Sequence, residues 1–122
     1  MNKKVRVELS PEAGEALNAL EERAKTSKVD RSILNSYKYN KNRILNDPAV
    51  GDSIKKDRIP KEFIIKYDIN NLFRIELSNF WRMFYTLHGD DKRIEIIAFV
   101  LDIGDHNYYD KKMGYKRDRC RK

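Results

Sequence analysis

The order of apolar and polar residues predicts a short strand followed by a helix. Residues 5–9 alternate apolar and charged side chains, which is the period of a strand with one buried face. Ser10 and Pro11 then supply an N-cap and a proline for the first helical turn. The apolar residues that follow recur at helical spacing, so we expect a first helix that ends near Lys25 or Thr26.

A second, longer helix follows almost directly. Ser27 and Asp30 form a capping-box pattern, and the helical spacing of apolar residues continues until Asp47 and Pro48 interrupt it. Such a short connection favours an antiparallel pair of helices. Each helix has one apolar stripe, so both need a sheet to cover.

The second half of the chain predicts that sheet. Residues 72–77, 80–87 and 93–103 are typical of strands, separated by turns at residues 78–79 and 88–91. Residues 51–67 fit either a short helix or an extended crossing. The fold class is therefore α+β: an N-terminal strand, a two-helix hairpin, then an antiparallel sheet of hairpin-linked strands. The last strand is apolar on both faces near its middle, as a central strand would be.

Alternation along the strands assigns side chains to the two faces of the sheet. The apolar sets belong against the helices, and they are Trp81, Met83, Tyr85 and Leu87 in one strand and Phe73, Ile75 and Leu77 in the strand before it. Arg74, Glu76 and Arg82 then project from the opposite, less covered face. Arg82 can also pair with Glu76 across the strands. His106 follows the last strand and belongs at the rim of this face, whereas His88 is expected in a solvated turn.

Composition bounds the class of protein. The chain has 122 residues, which suits one domain over residues 1–116 with a basic tail at residues 117–122. Cys120 is the single cysteine, so no internal disulfide can form, and no metal-ligand spacing is present. The longest apolar run is far shorter than the roughly 20 residues of a membrane-spanning helix. We expect a cytoplasmic protein with no membrane partner, no metal and no cofactor.

The net charge of +7 is concentrated near the C-terminus. Residues 111–122 hold seven of the 26 basic residues and one of the 19 acidic residues. This excess favours a polyanionic partner such as nucleic acid, and it fits a solvated, disordered end about equally well.

Two stretches, LFRIELSNFWRMFY and RIEIIAFVLDIGDHNYYD, resemble the C-terminal half of RelE/ParE-type toxins. The more specific patterns are aromatic-Arg-x-x-Tyr at residues 81–85 and strand-Gly-x-His at residues 103–106. The resemblance implies a RelE-like fold over nearly the whole chain. It also implies a toxin of a type II toxin–antitoxin system, whose partners are a cognate antitoxin and mRNA on the ribosome.

The resemblance further implies a catalytic set of Arg82, His106, Tyr109 and Arg74. Arg82 matches the arginine that holds the scissile phosphate, and Arg74 a position that is often lysine. The residues expected to bind RNA are basic or aromatic: Lys55, Lys56, Arg58, Lys61, Tyr108, Lys111 and Lys112. Glu76 departs from the pattern, because the RelE branch often has a second lysine there.

The implied chemistry is metal-independent transesterification, in which the RNA 2′-hydroxyl attacks its own phosphate. The two arginines suit the developing phosphorane charge, and His106 suits the acid that protonates the leaving oxygen. Glu76 or a lysine would be the base. Three alternatives stay open: a ParE-like toxin that binds gyrase, a catalytically degenerate RNA- or ribosome-binding protein, and a His106 that is only a turn residue. Tyr108 and Tyr109 fit base stacking and hydrophobic closure under the tail about equally.

Overall fold

The structure is a computed structural model that describes residues 4–90 and 95–105. This part of the chain is α+β, as the sequence predicts. Its elements are, in order, β1 (Lys4–Leu9), α1 (Pro11–Ala24), α2 (Lys28–Asn46), β2 (Asp52–Ser53), α3 (Lys61–Tyr67), β3 (Phe73–Glu76), β4 (Trp81–Asp90) and β5 (Glu95–Asp105), with single 3-10 turns at Lys56–Arg58 and Ser78–Phe80.

The two predicted helix caps are confirmed. Ser10 accepts a hydrogen bond from the Ala13 amide at 3.0 Å, and Ser27 accepts one from the Asp30 amide at 3.1 Å. Each bond satisfies an amide that the first helical turn leaves without an intrahelical partner. Both helices therefore begin where the sequence predicts, and α1 ends within two residues of the expected position.

The strands lie in the order β1-β5-β4-β3-β2. β2, β3, β4 and β5 pair antiparallel, as the hairpin pattern predicts, whereas β1 pairs with β5 in parallel. β5 is thus flanked by strands on both sides. The predicted turn at residues 88–91 is wrong for His88, Gly89 and Asp90. These residues continue β4, because their backbone still pairs with β5. The last pair is Asp90 with Glu95.

The main core lies between the sheet and the α1–α2 hairpin. It contains the residues that alternation assigned to the helices, with Trp81, Leu87 and Phe73 packed at its margin. Tyr85 is fully buried there, and its hydroxyl donates to the Pro48 carbonyl at 2.8 Å and accepts from the Gly51 amide at 3.0 Å. The loop after α2 is therefore fixed to the middle of β4.

A second, smaller core lies on the other face of the sheet. Phe84 is buried there against Ile59, Phe63 and Leu72, and the rings of Phe63 and Phe84 are 6.0 Å apart between centroids. The segment that carries α3 therefore covers the middle of the face that the sequence left less covered. Within residues 4–90 and 95–105, no helix is both long and apolar enough to cross a membrane.

Candidate functional site

Arg82 and Glu76 lie directly opposite each other on the sheet face that points away from α1 and α2. They are paired residues in the antiparallel β3–β4 register, so their side chains share this face. Arg82 Nη2 is 3.5 Å from Glu76 Oε2, and the arginine side chain is only 12% exposed, against 65% for the glutamate. The sheet thus holds the guanidinium in place while one flank of the pair remains open to solvent.

Arg74 lies on the same face, one pair further along β3. Its guanidinium is 3.7 Å from Asp52 of β2, which is too far for a hydrogen bond. The Arg74 Nε atom is buried and has no hydrogen-bond partner among the described residues. A buried donor without an acceptor is destabilising, so the Arg74 Nε atom is a cost to the fold.

Gly104 lies beside Arg82 on the other neighbouring strand. The β4–β5 register pairs these two residues, and a glycine adds no side chain next to the guanidinium. Asp105, the last described residue of β5, is exposed. Arg82 therefore lies between a residue with a carboxylate on β3 and a glycine on β5.

The four basic residues predicted to bind RNA in the middle of the chain lie on the segment that covers this face. Lys55, Lys56, Arg58 and Lys61 are all exposed. Ile59 and Phe63 alternate with them along the segment and pack on Phe84, whose neighbours on the same face are Arg74 and Arg82. The fold therefore brings six of the predicted basic residues to one side of the sheet.

The C-terminal end of α3 is fixed to the start of α1. Glu12 accepts hydrogen bonds from Lys66 Nζ and from the Tyr67 hydroxyl, the latter at 2.7 Å. The bond from Lys66, and then that from Tyr67, lower the pKa of Glu12 from 4.5 to about 2. The same contact raises the pKa of Lys66. This contact ties the end of α3 to the first turn of α1.

Five of the predicted site residues lie outside the described residues: His106, Tyr108, Tyr109, Lys111 and Lys112. Two residues near the site were not predicted as part of it. Asp52 belongs to a strand of two residues, which is too short to show a period. Phe80 was assigned to the start of a strand, although Asn79 before it is a residue type that favours turns.

A separate cleft of about 330 Å³ lies elsewhere, beside Tyr67, Asn71 and His88. Its central polar groups serve the fold. The Asn71 side chain accepts from the Leu87 amide at 2.8 Å and donates to the Leu87 carbonyl at 3.0 Å, in the manner of a strand partner. Thr86 donates to the Asn71 carbonyl at 2.7 Å. We therefore assign these groups to stabilising the end of β4.

No model of a protein family matches the sequence, and no curated protein matches it either. Among residues 4–90 and 95–105, no three His, Cys, Asp or Glu side chains are grouped so that they could hold a metal ion.

Proposed function

We propose that the chain is a RelE-like toxin of a type II toxin–antitoxin system, acting in the cytoplasm as an endoribonuclease on ribosome-bound mRNA. The observation that supports this most is the setting of Arg82. Its side chain is largely buried, Gly104 is its pairing partner on β5, and Arg74 and the basic segment before and within α3 lie on the same side of the sheet.

A held guanidinium suits phosphoryl chemistry better than a mobile one. Arg82 can donate two parallel hydrogen bonds to a phosphate, and its fixed position means that little reorganisation is needed when charge develops in the transition state. Arg74 supplies a second cation nearby. His106 would protonate the leaving 5′-oxygen, and the 2′-hydroxyl would lose its proton to Glu76 or to a lysine.

The ion pairs favour a second candidate, an RNA- or ribosome-binding protein without catalysis. Each arginine of the site has a carboxylate near it, Glu76 for Arg82 and Asp52 for Arg74. A carboxylate so close to a guanidinium weakens its attraction for phosphate and makes a poor general base, because the cation favours the charged form.

Primer extension on translated mRNA tests the proposal. Wild-type protein should cleave without added metal and leave 2′,3′-cyclic phosphate ends. Arg82→Ala should lose roughly 10²–10³ in rate, as when one donor to a developing anion is removed. His106→Ala should lose roughly 10²–10⁴. Lys25→Ala is the control, because Lys25 pairs with Glu22 in the turn between α1 and α2 and its loss changes net charge equally.

Three results would contradict parts of the proposal. Equal cleavage by wild type and His106→Ala would make His106 a turn residue. RNA binding without cleavage would select the degenerate binding protein. Inhibition of topoisomerase, with neither RNA binding nor cleavage, would select the gyrase-binding alternative.

Expression of the chain alone should slow growth, and co-expression with an adjacent small reading frame should relieve this effect if that frame encodes the antitoxin.

A further inference from the structure

The two helices that cover the main core carry opposite charge. α2 contains five basic residues and one acidic residue, whereas α1 contains four acidic residues and one basic residue. The single acid of α2, Asp30, lies in its first turn, where Arg23 of α1 donates to its carboxylate at 3.3 Å. From residue 31 to its end at Asn46, α2 therefore carries only positive charge.

The outer face of α2 carries a row of hydrogen-bond donors. Its members are all exposed and recur at alternating intervals of three and four residues: Lys28, Arg31, Asn35, Lys38 and Asn42. Residues at this spacing lie above one another on the same face of a helix. At about 1.5 Å per residue the row is roughly 21 Å long. The buried residues of α2 lie on the opposite side, where Tyr37 and Ile44 join the main core.

The positive charge of this row is not neutralised within the described protein. Among residues 4–90 and 95–105, Lys28 and Lys38 make no ion pair or hydrogen bond. Arg31 donates from Nη1 to the Ala24 carbonyl at 2.9 Å, which satisfies one of its several N–H groups. The row is thus open to an anionic partner.

The charge pattern of α2 does not favour a purely solvated role for this face. Solvated helix faces commonly combine acids and bases three or four residues apart, because such pairs stabilise a helix. α2 instead places like charges at this spacing, with Lys28 before Arg31 and Lys38 before the exposed Lys41. Like charges so close destabilise the helix slightly, so the pattern points to a role outside the fold.

The shape of the row suits the backbone of double-stranded RNA. Because α2 is packed on the sheet and α1, it offers one flat side rather than a whole helix that could enter a deep groove. The minor groove of an RNA duplex is wide and shallow and displays 2′-hydroxyls between its phosphates. The cations of the row suit the phosphates, and the amides of Asn35 and Asn42 can both donate to and accept from a hydroxyl. We infer that the outer face of α2 binds double-stranded RNA.

This second surface lies on the other side of the sheet from Arg82. α2 covers the main core, whereas the Arg82 side chain lies on the face that points away from both helices. One molecule can therefore hold an RNA duplex on α2 and present the Arg82 face to a single strand. The choice of RNA rests on the proposed function, whereas the charge and spacing of the row do not.

Fluorescence anisotropy with a labelled RNA duplex of about 16 base pairs tests the inference through Asn35, the middle residue of the row. One more phosphate contact steepens the dependence of log K on log salt concentration by roughly 0.9, which is roughly eightfold in affinity at 0.1 M salt relative to 1 M. Asn35→Lys should therefore bind the duplex up to roughly eightfold more tightly at 0.1 M salt, with a steeper salt dependence. Asn35→Glu should bind it more weakly, by roughly the same factor or more.

The glutamate variant also separates binding from folding. Glutamate is a better helix former than asparagine, and at position 35 it can pair with Arg31 and Lys38. The midpoint of thermal unfolding of Asn35→Glu should therefore equal or exceed that of the wild type while its affinity falls. Asn18→Glu is the matched control. It makes the same change at an exposed position of α1, and its affinity should stay close to that of the wild type.

The outcomes distinguish this inference from the function on which the choice of RNA rests. A single-stranded 2′-O-methyl oligonucleotide, whose methyl groups block cleavage, is the probe for the Arg82 face, and only Arg82→Ala should lose it. Equal duplex binding by wild type and Asn35→Glu would refute the α2 surface and leave the proposed function standing. Weaker duplex binding by Asn35→Glu, in a protein that cleaves no mRNA, would support the surface and refute the nuclease.

Two other partners of the row would overturn the inference. Tighter binding of a DNA duplex of the same sequence would refute the choice of RNA. A dimer in sedimentation equilibrium that Asn35→Glu dissociates would instead assign the row to the acidic α1 of a second copy of this chain.

Discussion

Replacing Glu76 with glutamine tests how the Arg82–Glu76 pair controls the affinity for RNA. Glutamine keeps the shape of the side chain and removes its charge. Because the Glu76 side chain is 65% exposed, the ion pair contributes less than about 1 kcal/mol to folding, and the variant should unfold close to the wild-type temperature.

The expected gain in affinity follows from the distances. A phosphate bound to Arg82 lies about 4 Å from the guanidinium, and the Glu76 carboxylate is 3.5 Å away from it, so the two anions are within roughly 7 Å of each other. With an effective dielectric constant between that of water and about half of it, their repulsion is roughly 0.6–1.2 kcal/mol. Glu76→Gln should therefore bind RNA roughly three- to eightfold more tightly.

Fluorescence anisotropy of a labelled 2′-O-methyl oligonucleotide measures this gain. The Debye screening length falls from about 10 Å at 0.1 M salt to about 3 Å at 1 M salt. The gain in affinity of Glu76→Gln should therefore largely disappear at the higher salt concentration. Glu22→Gln is the matched control. Its side chain is 74% exposed and pairs with Lys25 in the turn between α1 and α2.

Unchanged or weaker binding by Glu76→Gln at 0.1 M salt would refute phosphate binding beside Arg82. The same variant in the cleavage assay reports on the general base. A loss of roughly 10²–10⁴ in rate together with tighter binding would assign that role to Glu76, and an unchanged rate would exclude it.

Two further predictions concern stability. Tyr85→Phe leaves the Gly51 amide and the Pro48 carbonyl without partners, so the free energy of unfolding should fall by roughly 1–3 kcal/mol, with Tyr39→Phe unchanged; equal thermal midpoints would contradict this. Because the pKa of Glu12 is lowered, its ionised carboxylate stabilises the folded state above pH 4.5. This stabilisation is lost as the pH falls through about 2. Glu12→Gln should thus be less stable than wild type at pH 7, and most of this difference should be gone by pH 2. An undiminished difference at pH 2 would refute the linkage.

The parts of the fold that depend on local signals could be predicted from the sequence. Ser10 and Ser27 cap their helices through hydrogen bonds to amides three residues ahead, which a short stretch of sequence specifies. The period of two along β4 separates Met83 and Tyr85 from Arg82, and the structure places them on opposite faces. The sequence therefore predicted that Arg74 and Arg82 lie on one face of the sheet.

The non-local parts could not be predicted. β1 pairs with β5, which lies some 90 residues later in the chain. The alternating pattern of the six residues of β1 does not identify the strand with which it pairs. α3 has seven residues and only Phe63 is buried in it, so it shows no helical period. For that reason the sequence did not predict that α3 covers part of the face that carries Arg82. The turn at Gly89 was wrongly predicted, because glycine and aspartate are residues that favour turns. In the structure, backbone pairing with β5 keeps Gly89 and Asp90 in β4.

A bulge in β5 decides what lies next to Arg82. The pairing with β4 passes from Asp102, opposite Phe84, to Val100, opposite Tyr85, so the alternation of β5 shifts by one residue there. As a result Val100 and Ile103, three residues apart, both reach the main core. In a regular strand that kept Val100 in the core, Gly104 would share its face and Ile103 would lie on the side of Arg82. The bulge thus places a glycine rather than an isoleucine opposite Arg82 on the face that carries the guanidinium.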